Sequence, residues 1–240
     1  MSNTFFQFKQ FIVHQEKCAM KVCTDACLFG AWLADYLNET KYNIKDALDI
    51  GTGTGLLSMM IAQQNNFAID ALEINEDAYS QCKTNILNTP WSNSIHVTNL
   101  ALQEFSPNKK YDLIFSNPPF YEADLKSDNS AKNEALHGTT LKLNELIHFV
   151  ACHLQESGIA AILIPYSRWK ALESLINDIG FFVNKLTLVR QTSNHDYFRT
   201  MVVFSRKNSS TQTEELYITD ESRNYSDDFK RLLKAYYLNL

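Results

Sequence analysis

Ala47-Leu48-Asp49-Ile50-Gly51-Thr52-Gly53-Thr54-Gly55 is the stretch that decides the fold. Ala47 to Ile50 reads as a short strand, Gly51 to Gly55 as a tight loop, and Leu56 to Gln63 as an apolar helix. Glycines let the backbone approach a ligand closely. The helix that follows presents free N–H groups and the positive end of its dipole. The competing reading of these residues alone is a glycine-rich turn with an incidental acid.

Working outward, the same alternation repeats. Phe67 to Leu72 is a second strand, ending in Glu73, and Glu76 to Leu87 is a helix. Ile95 to Asn99 and Tyr111 to Phe115 are a third and fourth strand. Leu143 to Leu154 is a helix, and Gly158 to Ile164 is a strand closed by Pro165. Ser167 to Ile179 is helical up to Gly180, and Phe181 to Val189 and Phe198 to Phe204 are two more strands. This order predicts an α/β fold: a mostly parallel seven-stranded sheet with helices on both faces. Before it, Phe5 to Val13 reads as a strand or hairpin, and Thr24-Asp25 as the N-cap of an apolar helix, together an N-terminal strand/helix extension. After it, Asn208 to Thr213 reads as a polar linker. A strand at Leu216 to Ile218 and a helix at Asp227 to Leu238, capped by Ser226, follow. The expectation is one domain over 1–240, with 41–207 as its core and 1–40 and 208–240 as extensions.

Composition narrows the function. The chain has 240 residues, 45% hydrophobic and 20% charged, ordinary for a globular protein. No apolar run reaches the length of a membrane span, and no basic-then-apolar leader opens the sequence, so no membrane association and a cytoplasmic location are expected. Cys18, Cys23 and Cys27 lack the paired spacing of a zinc site. His14, His137 and His195 lack matching partners, so no metal is expected. Trp32, Trp91 and Trp169 read as core. The net charge of −5 argues mildly against a general nucleic-acid binder. Two segments are locally basic, Met1 to Cys23 and Phe181 to Asn208, and would suit a small structured nucleic acid.

In open α/β sheets, ligands lie beyond the carboxyl ends of the strands. Three features fall there: Asp49 with Gly51, Gly53 and Gly55, then Glu73, then Ser116-Asn117-Pro118-Pro119-Phe120. Glu73 stands where an acid can accept from two ribose hydroxyls, so a nucleoside-containing cofactor is expected. The dinucleotide pattern G-x-G-x-x-G fails at Leu56 and at Ser58, which disfavours a nicotinamide-dependent oxidoreductase. Asp49 instead suits a cationic amino group. Pro118 and Pro119 make a rigid exit from the fourth strand, placing the Asn117 amide, free carbonyls and the Phe120 ring at one edge. A planar amine-bearing ring could lie there with its NH2 donating to the amide oxygen and a carbonyl. The competing reading is a Pro-Pro turn with a core phenylalanine.

Together these motifs resemble class I S-adenosylmethionine-dependent methyltransferases of the amino-group type, with their Rossmann-like fold. The segments Phe8-Lys9-Gln10-Phe11, Cys18 to Asp25, Asn224-Tyr225-Ser226 and Ala235-Tyr236-Tyr237-Leu238 are similar to bacterial enzymes that methylate N6 of an adenosine beside the anticodon of valine tRNA. The resemblance runs from about Phe8 to Leu240. It implies S-adenosylmethionine as cofactor, with its methionine part held by Asp49, Gly51, Gly53 and Gly55 and its ribose by Glu73. Thr24 and Asp25 match a family segment against the cofactor pocket. Asn117 and the Pro118 carbonyl would accept from the target N6 amine, and Phe120 would stack on the adenine. tRNA is the implied partner, and a monomer is expected. Three positions depart from the family: Ala101 stands where relatives carry an acid for the cofactor adenine amine, Cys23 replaces a glycine, and Phe120 replaces a tyrosine. Asn99, Gln103 and Glu104 are the candidates to stand in for that acid. Rival substrates are a glutamine amide in a release factor and adenine in DNA or ribosomal RNA. A catalytically silent RNA-binding module is the rival of another class.

Overall fold

A computed structural model describes residues 3–18, 20–118 and 141–240. Two short antiparallel strands open the chain, β1 (Phe5–Gln7) and β2 (Ile12–His14). Then come α1 (Thr24–Thr40), β3 (Asp46–Ile50), α2 (Leu56–Gln64), β4 (Ala68–Glu73), α3 (Glu76–Leu87), β5 (Ile95–Asn99) and β6 (Tyr111–Ser116). After the undescribed stretch follow α4 (Leu143–His153), β7 (Leu154–Pro165), α5 (Trp169–Asp178), β8 (Phe182–Arg190), β9 (Tyr197–Ser205), β10 (Gln212–Tyr217) and α6 (Asp227–Leu233). Pro119, Phe120 and His137 lie outside the described residues.

The main sheet has eight strands, in the order β10-β8-β9-β7-β6-β3-β4-β5. Among the described residues only β9 runs antiparallel to its neighbours, β7 and β8. The expected α/β architecture is therefore present, with one more strand than the seven expected. The addition is β10, which pairs in parallel with β8 from Gln212↔Lys185 to Tyr217↔Arg190. It begins four residues before the strand expected at Leu216, and its first two residues, Gln212 and Thr213, fall in the stretch read as a polar linker. An edge strand with one face in solvent carries polar side chains (Gln212, Thr213, Glu214, Glu215), which hides it from a hydrophobicity reading.

Alternation along the strands builds two cores. Ala47, Leu113, Phe115, Ala161 and Met201 pack on one face against α1, α2 and α6. Leu48, Ile50, Ile114, Ile162 and Val202 pack on the other against α4 and α5. Gly30 lets α1 and α2 close up, since a Cβ there would meet Met60 Sδ at 2.9 Å. Trp32 and Trp169 are buried core residues, and Trp91 is half-buried against the first core. The N-terminal hairpin packs on the C-terminal segment: Phe6 and Phe8 lie against Tyr237, and Lys9 N–H donates to the Tyr236 carbonyl over 2.8 Å.

Two helix ends differ from expectation. Cys23, not Thr24 or Asp25, is the N-cap residue of α1, and no side chain caps it. The last helix stops at Leu233 and gives way to a turn over Lys234 to Tyr236. Ser226 does cap it, accepting from Phe229 N–H over 3.1 Å.

Candidate active site

The carboxyl ends of the parallel strands form one edge. Along it stand Asn99 (β5), Glu73 (β4), the glycine loop after β3, Asn117 after β6, Pro165 (β7), the start of β9 and the end of β8. Neighbouring strands lie about 4.8 Å apart. Topology alone therefore brings together features separated by nearly seventy residues of sequence.

Gly51, Gly53 and Gly55 take φ values of 73°, 57° and 84°, a left-handed run that favours glycine. A Cβ on Gly51 or Gly53 would meet nothing within 4 Å, so the loop faces open space. Gly51 and Thr52 N–H both donate to the Leu72 carbonyl at 2.9 Å, hanging the loop on β4. Glu73 is buried. It receives Gly53 N–H on Oε2 at 2.9 Å and Asn75 N–H on Oε1 at 2.8 Å. Its carboxylate thus supports the loop, and each oxygen keeps a second lone pair for a ligand hydroxyl.

Asp49 is fully buried, yet only one of its oxygens is satisfied. Oδ2 accepts from Thr52 Oγ1 and Ser58 Oγ, both at 2.7 Å, while Oδ1 has no partner among the described residues. Burial pushes its pKa up to about 6, against the lowering effect of the two hydroxyls. A buried, half-satisfied carboxylate beneath an open glycine cradle is suited to a cation. These residues fit the amino group and methionine backbone of S-adenosylmethionine.

Asn117 is the first residue beyond β6. Ser116 before it pairs with Ile50 and donates its hydroxyl to the Ile50 carbonyl over 2.7 Å, locking the two strand ends side by side. Asn117 therefore stands level with Gly51, partly exposed, with Pro118 buried behind it. Thr24 is exposed at the start of α1. Asp25 is held by Arg199, whose Nε lies 2.6 Å from Oδ2, and it also accepts from Ala26 N–H. Asn99 donates its amide N–H to the Glu73 and Ile74 carbonyls, at 2.8 and 3.1 Å. Gln103 is engaged with Glu145, and Ala101 begins a short turn through Glu104.

Several functional partners were not read from the sequence. Thr52 and Ser58 hold Asp49, and their spacing from it, three and nine residues, carries no common motif. Asn85 is buried on α3 and donates to the carbonyls of Thr54 and His14, both at 2.9 Å. It also accepts from His14 N–H, so one amide ties the N-terminal hairpin to the glycine loop. The basic segment from Phe181 to Asn208 is mostly neutralised by acids from other segments. Lys185, Arg190, Arg199 and Arg206 pair with Glu214, Glu215, Asp25 and Glu156. Burial raises the thiols of Cys18 to about 11 and of Cys23 to about 12, which keeps both protonated near neutrality. Among the described residues no cluster of three or more His, Cys, Asp or Glu could hold a metal ion, and no helix is long and apolar enough to cross a membrane.

Residues 30–158 match the family model described as the methyltransferase small domain. The tRNA1(Val) (adenine(37)-N6)-methyltransferase of Cytophaga hutchinsonii is 40% identical over 245 residues, covering 100% of both chains. This chain belongs to that methyltransferase family. Its relatives of the same name in Christiangramia forsetii and Bacteroides fragilis are 37% and 36% identical, again over 100% of both chains. The fold is shared with solved methyltransferases. A predicted O-methyltransferase from Agrobacterium tumefaciens superposes with a TM-score of 0.66 at 16% identity, covering 90% of this chain and 100% of its own. An S-adenosylmethionine-dependent methyltransferase from Clostridium acetobutylicum gives a TM-score of 0.55 at 12% identity, over 78% of this chain and 94% of its own. The family's cofactor, S-adenosylmethionine, is the one the buried Asp49 and the glycine cradle fit.

Proposed function

We propose that this methyltransferase acts on N6 of an adenosine in tRNA, the nucleotide at position 37 beside the anticodon of valine tRNA. The observation that carries the reading is adjacency. Asn117 stands one strand away from a glycine loop whose buried carboxylate has an unused oxygen. The full-length likeness to relatives named for this reaction supports it.

When bound, S-adenosylmethionine supplies an electrophilic methyl group on a sulfonium. The chain's residues do the rest. Asp49 Oδ1 takes the cationic amine, Gly51, Gly53 and Gly55 admit the methionine backbone, and Glu73 accepts from the ribose hydroxyls. Asn99 donates its amide N–H groups to the Glu73 and Ile74 carbonyls, which leaves its Oδ1 to accept from the amine of the cofactor's adenine. At the other side, Asn117 Oδ1 and the Pro118 carbonyl accept from the target N6 amine. An adenine N6 lone pair is delocalised into the ring, so N6 is a poor nucleophile. Acceptors that strengthen as positive charge develops on nitrogen act on the transition state, each worth about 3 kcal/mol. No dedicated base is required, because the amine can lose its proton after transfer. Phe120 has the stacking role. An anticodon-loop base is already unpaired, so presenting it costs less than flipping from a duplex. A cytoplasmic monomer working on free tRNA completes the reading.

The test is transfer of a labelled methyl group to an unmodified valine tRNA transcript, with a variant carrying guanosine at position 37 as control. Label on the first and not the second is expected. Label on both, or on a release factor glutamine instead, overturns the assignment.

A further inference from the structure

Beyond Asn117, away from the cofactor half, the same sheet edge carries a row of aromatic and guanidinium groups that the methyl-transfer reading leaves unused. Pro165 ends β7 and pairs with Arg199 on β9, so the turn Tyr166–Arg168 leaves the sheet beside the start of β9. The Tyr166 ring is 40% exposed and lies 5.1 Å from the Tyr197 ring, centroid to centroid, tilted by 51°. Tyr197 is backed by Arg190, whose guanidinium carbon sits 3.9 Å from its ring centroid. Tyr197 hydroxyl accepts from Arg190 and donates to Glu215, and Tyr217 donates to the same carboxylate over 3.0 Å. The result is a braced platform. Tyr197 is fixed by a cation–π contact with Arg190 and by hydrogen bonds to Arg190 and Glu215, which themselves form an ion pair, and Tyr166 projects from it into solvent. Arg168 is exposed at the end of the turn.

From the target amide at the end of β6 the platform is one strand away at β7 and two at β9, roughly 5–10 Å. That span suits nucleotides directly beside an extruded base. Single-stranded nucleic acid is bound by aromatic faces for the bases and by cations for the backbone. A charge-driven surface would look different, because here Arg190 and Arg199 are already paired with acids.

We infer that Tyr166, braced by Tyr197, is a stacking platform for an unpaired nucleotide flanking the target adenosine, with Arg168 placed for its phosphate. This rests on the tRNA reading above and adds a binding surface to it. The platform is continuous with the clamp at Asn117, and its occupant is the single-stranded loop of the RNA substrate itself.

The probe is a valine-tRNA anticodon stem-loop transcript, with its affinity measured in the absence of S-adenosylmethionine. Y166A should weaken binding about 5- to 100-fold, the effect expected for one lost stacked base, whereas Y166F should bind like the wild type. Thermal stability and cofactor affinity should be unchanged in both, since Tyr166 is exposed and far along the edge from Asp49. R168A should lower the salt slope of binding by about one, and Y166A should leave that slope unaltered. Wild-type affinity in Y166A, or equal losses in Y166A and Y166F, overturns the platform while leaving methyl transfer by the wild type untouched. Absence of methyl transfer by the wild type refutes the tRNA reading independently.

Discussion

Replacing Asp49 by Asn should make the protein more stable and a poorer binder of S-adenosylmethionine. The carboxyl is fully buried, and its pKa rises from an ordinary 3.8 to about 6. Each pKa unit is worth about 1.4 kcal/mol, so keeping this group ionised in the cofactor-free fold costs about 3 kcal/mol. The direction follows from the proton. The unfolded chain loses it near 3.8, while the folded protein holds it until about 6. Stability is therefore highest below the lower value, falls across the window, and stays low above the upper one. Asn is neutral throughout and can still accept from Thr52 and Ser58. Unfolding of the cofactor-free proteins at about pH 5 and about pH 7.5 measures the effect. D49N should exceed the wild type by up to about 3 kcal/mol at the higher pH, some 6–12 °C in Tm, with a smaller margin at the lower pH. Cofactor affinity should move the other way, falling about 10- to 100-fold as a charge-assisted hydrogen bond is lost. A D49N protein no more stable than the wild type, or one that binds the cofactor equally well, would refute the assignment of Oδ1 to a cation.

Three further outcomes are expected. N117A should lower kcat about 100- to 1,000-fold, the effect of losing one transition-state acceptor, with cofactor affinity retained by calorimetry. E73Q should weaken cofactor binding about tenfold, because it removes charge both from the ribose site and from the bonds supporting Gly53 and Asn75. G55A should destabilise more than G53A in urea unfolding. Both residues sit at positive φ, costing about 1–2 kcal/mol, but only at Gly55 would the new Cβ meet Cys82 Sγ, at 2.9 Å, adding about 1–3 kcal/mol of overpacking.

The strand–loop–helix order was legible because buried parallel strands are written as short apolar runs between breakers. Glu76 to Leu87 and Ile95 to Asn99 have the expected bounds, and the strand expected at Ala47 to Ile50 begins one residue earlier, at Asp46. What was hidden depends on the outside of the fold or on distance along the chain. β10 shows in the sequence only as Leu216 to Ile218; its polar start at Gln212 and Thr213 looks like a linker. Asp25 and Arg199 are 174 residues apart, and only the folded sheet makes them partners. The basic run from Phe181 to Asn208 looks like a nucleic-acid face because its acids come from three other segments, α1, β7 and β10. Asp49 and Glu73 could be picked out from their places at strand ends. Thr52, Ser58 and Asn85, which hold Asp49 and the glycine loop in position, are small polar residues of the kind common in any loop or helix.

The aromatic seam between the first strands and the segment after α6 has a consequence for how the protein is made. Phe6 and Phe8 rest on Tyr237, and His14 reaches the glycine loop through Asn85, so the hairpin that buttresses the cofactor site waits for a partner synthesised last. At roughly 5–20 residues per second, translation leaves that hairpin without its mate for some tens of seconds. A ribosome-bound chain that has not yet reached Tyr236 lacks the surface on which Phe6, Phe8 and Lys9 rest.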